Sequence, residues 1–238
     1  MAVPPPTPDP NAAKAPSDPW SDLVLTLPMF IGYHLGVIFL PIRNAADVVT
    51  RELVALADHD MAAYGGLTLG IGLVYVLVLG LAGRGHALRW QRFAFIAAEG
   101  VLYAVAMRAL AGYVVGRVFL GPDSHGLFAG AVMSLGAGFY EELAFRVGLF
   151  GVGLKVLRIL YAPTSSLRRV VTPLAWAAVT AAVFSGWHYV GALGDSFDAR
   201  SFLFRWVCGA VFVGIYALRG FAPVVWTHAL YDLWVMVL

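Results

Sequence analysis

The sequence predicts an all-α fold, a polytopic transmembrane helical bundle of about seven spans plus one interfacial amphipathic helix. Three observations predict it. Of the 238 residues, 60% are hydrophobic and only 13% are charged, about half the usual charged share of a soluble domain. Seven apolar stretches are long enough to cross a bilayer core of about 30 Å. The single cysteine, Cys208, rules out a disulfide framework and a thiolate metal cluster. A net charge of +2 is too small for an electrostatic footprint on nucleic acid, so no nucleic-acid partner is expected.

Residues 1–20 hold seven of the 13 prolines and no apolar run, which predicts an extended, disordered tail. No basic segment leads into a short apolar one with a cleavage site, so a removable signal peptide is not expected. Residues 21–238 then read as a single membrane domain. The spans fall at about 23–40, 61–82, 93–115, 126–154, 170–193, 201–218 and 221–238. Between the first two, residues 41–60 place Val48, Val49, Leu53 and Leu56 near helical spacing among charges, the pattern of a helix lying in the membrane interface.

Basic residues orient the bundle. With the N-terminus in the cytoplasm, the inner segments carry Lys14, Arg84, Arg89, Arg92, Lys155, Arg158, Arg168, Arg169 and Arg219. The outer segments carry only Arg43, Arg51, Arg117 and Arg200. The expected location is a bacterial inner membrane, crossed several times, with the lipid bilayer as a constant partner.

Only four acidic residues are glutamate, and three of them (Glu99, Glu141, Glu142) lie inside apolar spans. An ionisable group there costs about 2.5–3.5 kcal/mol on insertion scales and tends to mark function. The fourth span holds Glu141-Glu142-Leu-Ala-Phe-Arg146, the fifth Phe184-Ser-Gly-Trp-His188, and the seventh His228-Ala-Leu-Tyr-Asp232. Glu142 and Arg146, four apart, pair on one helix face. Glu141, turned about 100° away on an α-helix, is left for another element. His228 and Asp232 share a face at the same spacing, so the carboxylate can orient the imidazole. A structural ion-pair triad and a helix-packing hydrogen bond would explain each motif alone. Together, in this order, they do not read as packing.

The combination Glu-Glu-x-x-x-Arg, Phe-x-x-x-His and His-x-x-x-Asp on separate spans resembles the CAAX protease and bacteriocin-processing family, which includes the type II CAAX prenyl endopeptidases. The approach to the last motif, from Phe204-Arg205 through Gly209, Tyr216, Arg219-Gly220 and Pro223, is similar too. The resemblance places the catalytic core at about residues 126–238; the first three spans carry no comparable mark. It implies a glutamate-type intramembrane endopeptidase acting on a membrane-anchored protein or peptide. Glu141 would be the general base and His188 its partner on the attacking water. His228 and Asp232 would stabilise the oxyanion, with Glu142 and Arg146 in support. Asp232 departs from the asparagine many members carry, and it can donate a hydrogen bond only when protonated. It is therefore expected to orient His228 or to stay protonated.

No cofactor is expected. The runner-up is a zinc protease using the same glutamate, histidines and aspartate as ligands, although no His-Glu-x-x-His pair occurs. Other protease types fit less well. Ala192-Leu-Gly194-Asp195 only approaches the second motif of aspartyl types, and neither Ser134 nor Ser185 sits in Gly-x-Ser-x-Gly. A non-enzymatic transporter or immunity protein is the reading from another class, with Glu99 and Arg108 as its polar pathway. His34, His59, His86 and His125 are expected to be interfacial or packing residues. A further expectation is that the substrate loses a C-terminal sorting tail.

Overall fold

A computed structural model describes residues 19–40, 44–58, 60–82, 90–115, 126–161, 165–191 and 194–237. The proline-rich tail up to residue 18, and His59, His86 and His125, lie outside these residues. The described residues contain helices and no strand. In chain order the helices are α1 (Pro19–Phe39), α2 (Val48–Leu56), α3 (Met61–Ala82), α4 (Trp90–Val115), α5 (Leu127–Gly136), α6 (Gly153–Leu160), α7 (Ser166–Trp187), α8 (Ala199–Arg219) and α9 (Phe221–Val237). Between α5 and α6 the segment Ala137–Val152 is π-helical.

Four helices (α1, α4, α7 and α8) are each long and apolar enough to cross a membrane. Large apolar side chains point outward along them and along α3, among them Leu73, Leu77, Leu102, Leu110, Leu174 and Val183. So much continuous apolar surface is intolerable in water but matches hydrocarbon. The molecule is an all-α membrane bundle. A short helix, α2, does form within 41–60, and its Val54 is buried against α1 and α3.

Helix α9 is the hub. It packs on α1, α4, α5, α8 and the π-helical segment, and its Ala222, Val224, Val225 and Thr227 are fully buried. Its entry is a one-residue joint. Gly220 has φ +95°, a region that side-chain-bearing residues avoid, and this reverses the chain directly from α8 into α9. Asp22 on α1 then accepts from the Phe221 backbone N–H at 2.8 Å, satisfying a donor that a helix start leaves without a partner. Trp226 Nε1 donates to the Leu25 carbonyl at 2.8 Å, tying the same two helices one turn deeper.

Two boundaries differ from the sequence expectation. The fourth span is one continuous helix from Leu127 to Leu160, because the residues at both internal joins keep right-handed helical backbone angles. Its middle turns are wider, with i→i+5 rather than i→i+4 bonding. The fifth span ends at Trp187, so His188 is the residue that caps α7 rather than one inside it.

Candidate active site

The π-helical segment places Glu141 and Glu142 side by side. A wider turn rotates successive residues by less than the roughly 100° of an α-helix. Both carboxylates therefore face the bundle interior, with Glu142 fully buried and Glu141 7% exposed. The turn needs room, and Gly138 provides it. A Cβ there would lie 2.7 Å from Ala229 Cβ and 2.9 Å from the Ala229 nitrogen and the Val225 carbonyl oxygen of α9. The segment thus approaches the α9 backbone directly, one turn before the glutamates.

Glu142 is the anchor of the cluster. Its Oε2 lies 3.1 Å from Arg146 Nε, the pair expected from the spacing. Its Oε1 lies 2.6 Å from His228 Nδ1 on α9. Arg146 is itself 1% exposed and is roofed by two aromatic faces, with its Cζ 4.1 Å from the Phe184 ring centre and 4.9 Å from that of Phe212. Ring quadrupoles attract a desolvated cation. The phenylalanine of the Phe-x-x-x-His motif therefore covers the arginine. Removing either partner of such a buried pair leaves an uncompensated charge, at about 3–5 kcal/mol.

His228 sits between carboxylates. Beyond its bond to Glu142, its Nε2 lies 3.3 Å from Asp232 Oδ2 and 3.9 Å from Glu141 Oε2. The ring stacks on Phe212 with centroids 4.5 Å apart and meets the edge of Phe184 at 6.0 Å. Ionised carboxylates only accept hydrogen bonds, so with Glu142 and Asp232 both ionised the ring carries a proton on each nitrogen. Glu141 differs from Glu142 in its second oxygen: Glu142 Oε2 lies 3.1 Å from the Arg146 guanidinium, whereas Glu141 Oε2 approaches a cationic side chain no closer than His228 Nε2 at 3.9 Å. Glu141 Oε1 accepts from Asn44 Nδ2 at 2.8 Å, whereas Oε2 is buried without a hydrogen-bond partner among the described residues.

Asn44 carries no signal in the sequence. It lies in the turn before α2, 97 residues from its partner. Its amide is oriented at both ends: Oδ1 accepts from the Ala46 N–H at 2.8 Å, which directs Nδ2 to the glutamate. The Asn44 backbone N–H donates to the Tyr33 hydroxyl at 3.0 Å. Next to it, His34 is a packing histidine rather than an interfacial one. It is 2% exposed and bonded to the hydroxyls of Tyr140 at 2.6 Å and Tyr64 at 3.2 Å. Thus α1, α3 and the turn at Asn44 build a second polar layer behind Glu141, contributed by the half of the chain that showed no motif. Its one legible trace was His34 inside an apolar span.

His188 stands apart from the rest. It is half-buried, its Nδ1 lies 3.0 Å from the Phe184 carbonyl oxygen, and its ring meets Phe184 edge-on at 5.2 Å. Among the described residues it shares no hydrogen bond or ion pair with Glu141, so one aromatic ring separates the two histidines. A carbonyl can only accept, so Nδ1 carries the proton. In the neutral ring, Nε2 is left as an acceptor.

The remaining acidic oddity has a structural partner. Glu99 holds Arg219 through both oxygens, at 2.6 and 3.1 Å, and accepts from the Tyr103 hydroxyl at 2.7 Å. Arg108 lies over the Trp234 ring at 5.1 Å. Neither joins the glutamate cluster or forms a polar pathway with the other. Among the described residues, no group of three or more histidine, cysteine, aspartate or glutamate side chains is arranged to hold a metal ion. Both ring nitrogens of His228 face carboxylates, and a metal ligand needs an imidazole lone pair directed at the ion.

No curated protein and no solved structure matches this chain. A family model does, that of the type II CAAX prenyl endopeptidases, Rce1-like, over residues 123–234. That stretch contains Glu141, Glu142, Arg146, His188, His228 and Asp232, the buried cluster together with the histidine beside it. Over residues 123–234, somewhat less than half of its length, the chain thus matches the type II CAAX prenyl endopeptidase Rce1-like family, and this match supports a membrane protease.

Proposed function

We propose that the protein is an intramembrane endopeptidase in which Glu141 activates the attacking water without a metal. The observation that carries this is the buried, unpartnered Oε2 of Glu141, 3.9 Å from His228 Nε2. That separation is too long for a direct hydrogen bond and leaves the oxygen able to take a proton from water. In the proposed step the water oxygen attacks the peptide carbonyl carbon and its proton passes to Glu141. Negative charge then develops on the carbonyl oxygen, and the Nε2–H of His228, which the oxyanion shares with Asp232 Oδ2 at 3.3 Å, stabilises it. Collapse breaks the C–N bond, and the proton held by Glu141 goes to the leaving amine.

The other residues divide accordingly. Asp232 orients His228, while Glu142 and Arg146 hold its far nitrogen in place. The accepting Nε2 of His188 takes part in positioning the water once substrate is bound. The substrate class is a membrane-anchored protein or peptide, because the cluster lies within the bundle. Removal of a C-terminal sorting tail is the reaction we favour, at an inner membrane crossed several times.

The test is cleavage, in proteoliposomes, of a membrane-anchored reporter that wild type cleaves, compared between wild type and Glu141→Gln. Loss of a general base lowers turnover by about 10²–10⁴-fold. Equal cleavage by both proteins would refute the assignment. The same variant serves as a trap for natural membrane substrates. In the metal reading, chelator would abolish cleavage and zinc would restore it; in ours, chelator leaves the rate unchanged.

A further inference from the structure

The ends of α6 and α7 enclose a cavity of about 310 Å³ lined by Arg158, Arg168, Arg169, Thr172 and Pro173. That volume lies at the low end of the range of small-molecule sites, about 300–1,000 Å³. Its charge is one-sided. Three guanidinium groups face one space, and among the described residues none of them makes an ion pair. The chain has no aspartate or glutamate between Leu143 and Gly194, so no sequence neighbour offsets them. Three arginines elsewhere in the bundle do have carboxylate partners: Arg146 has Glu142, Arg205 has Asp195 and Arg219 has Glu99. Like charges brought together without a counter-ion repel, and an anion between them relieves the repulsion.

The surroundings narrow the class of anion. On the same two helices Val156, Ile159, Leu160, Leu167, Val170 and Leu174 are exposed, so the basic opening is flanked by apolar surface of the kind that lipid chains cover. Guanidinium groups match phosphate through paired N–H donors, and the Thr172 hydroxyl adds another donor. Basic pockets between membrane helices at an interface bind phosphate-bearing lipid headgroups by this chemistry. We propose that this cavity is a binding site for the phosphate of an anionic phospholipid. It lies outside the glutamate–histidine cluster, and its occupancy does not depend on the peptidase reading.

The experiment uses the full chain reconstituted in phosphatidylcholine vesicles doped with phosphatidylglycerol, then extracted and weighed by native mass spectrometry. Wild type is expected to retain phosphatidylglycerol over phosphatidylcholine. Each of Arg158→Gln, Arg168→Gln and Arg169→Gln should weaken retention by about fivefold, and the triple variant should remove the preference. Lys155→Gln, a cation on the same helix that does not line the cavity, should leave retention unchanged. A calorimetric titration with inorganic phosphate separates the sources. Displacement of the lipid by free phosphate, with the same arginine dependence, makes the phosphate group alone sufficient. Lipid retention that free phosphate does not disturb assigns the site to the whole headgroup at the membrane. Equal retention by wild type and the triple variant, or an equal loss in Lys155→Gln and Arg158→Gln, overturns the proposal. If the triple variant aggregates, the three single variants, each at an exposed position, decide the result.

Discussion

Two substitutions at position 232 separate orientation from charge. Asp232 reaches His228 Nε2 through one oxygen at 3.3 Å, and the carbonyl oxygen of an asparagine can accept from the same N–H. Asp232→Asn is therefore expected to keep most of the cleavage rate, while Asp232→Ala should lose it; full activity in the alanine variant would remove residue 232 from the mechanism. Asn44 is a positioning residue for Glu141. Hydrogen bonds to charged groups contribute about 1.5–3 kcal/mol, so Asn44→Ala should lower kcat by roughly tenfold or more and barely alter KM. A matching loss in KM would mean that Asn44 touches substrate instead. At this scale the pairs legible in the sequence were those four apart on one helix, because that spacing is a local property of the backbone. Asn44 and Phe212 were illegible, since their contacts are made by packing across the chain.

Among the elements, the junction of the π-helical segment with α9 sets the geometry of the glutamate–histidine cluster. The space that a Cβ at Gly138 would need is already taken by the α9 backbone. Gly138→Val is expected to push α9 outward and break the 2.6 Å contact between Glu142 and His228. Cleavage should then fall more steeply than thermal stability in detergent, whereas Gly66→Val should change neither, because nothing lies near a Cβ at Gly66. Hydropathy located the helices to within a few residues, because each buries or exposes a continuous apolar stretch. It did not reveal the i→i+5 bonding of residues 137–152, which composition does not encode. Nor did it reveal the end of α7 at Trp187, where apolar residues continue in the sequence beyond the helix.

For the molecule as a whole, the family match stops short of the layer that supports it. Residues 123–234 contain the matched motifs, but Tyr33, His34, Asn44 and Tyr64 come from outside that stretch. A fragment beginning at residue 123 is therefore expected to lose cleavage when reconstituted, even where it inserts as helices. Activity equal to the full chain would show that the N-terminal layer is dispensable. By itself the sequence determined the class of fold, the apolar segments and the catalytic candidates, because hydropathy and four-residue spacing act within single helices. The tertiary structure decided which glutamate keeps an oxygen apart from the arginine, which histidine stands nearest to it, and that the first helices hold it in place. Those outcomes depend on how closely helices approach one another. That distance is set jointly by side chains from distant parts of the chain, at a glycine such as Gly138 and around a central helix such as α9.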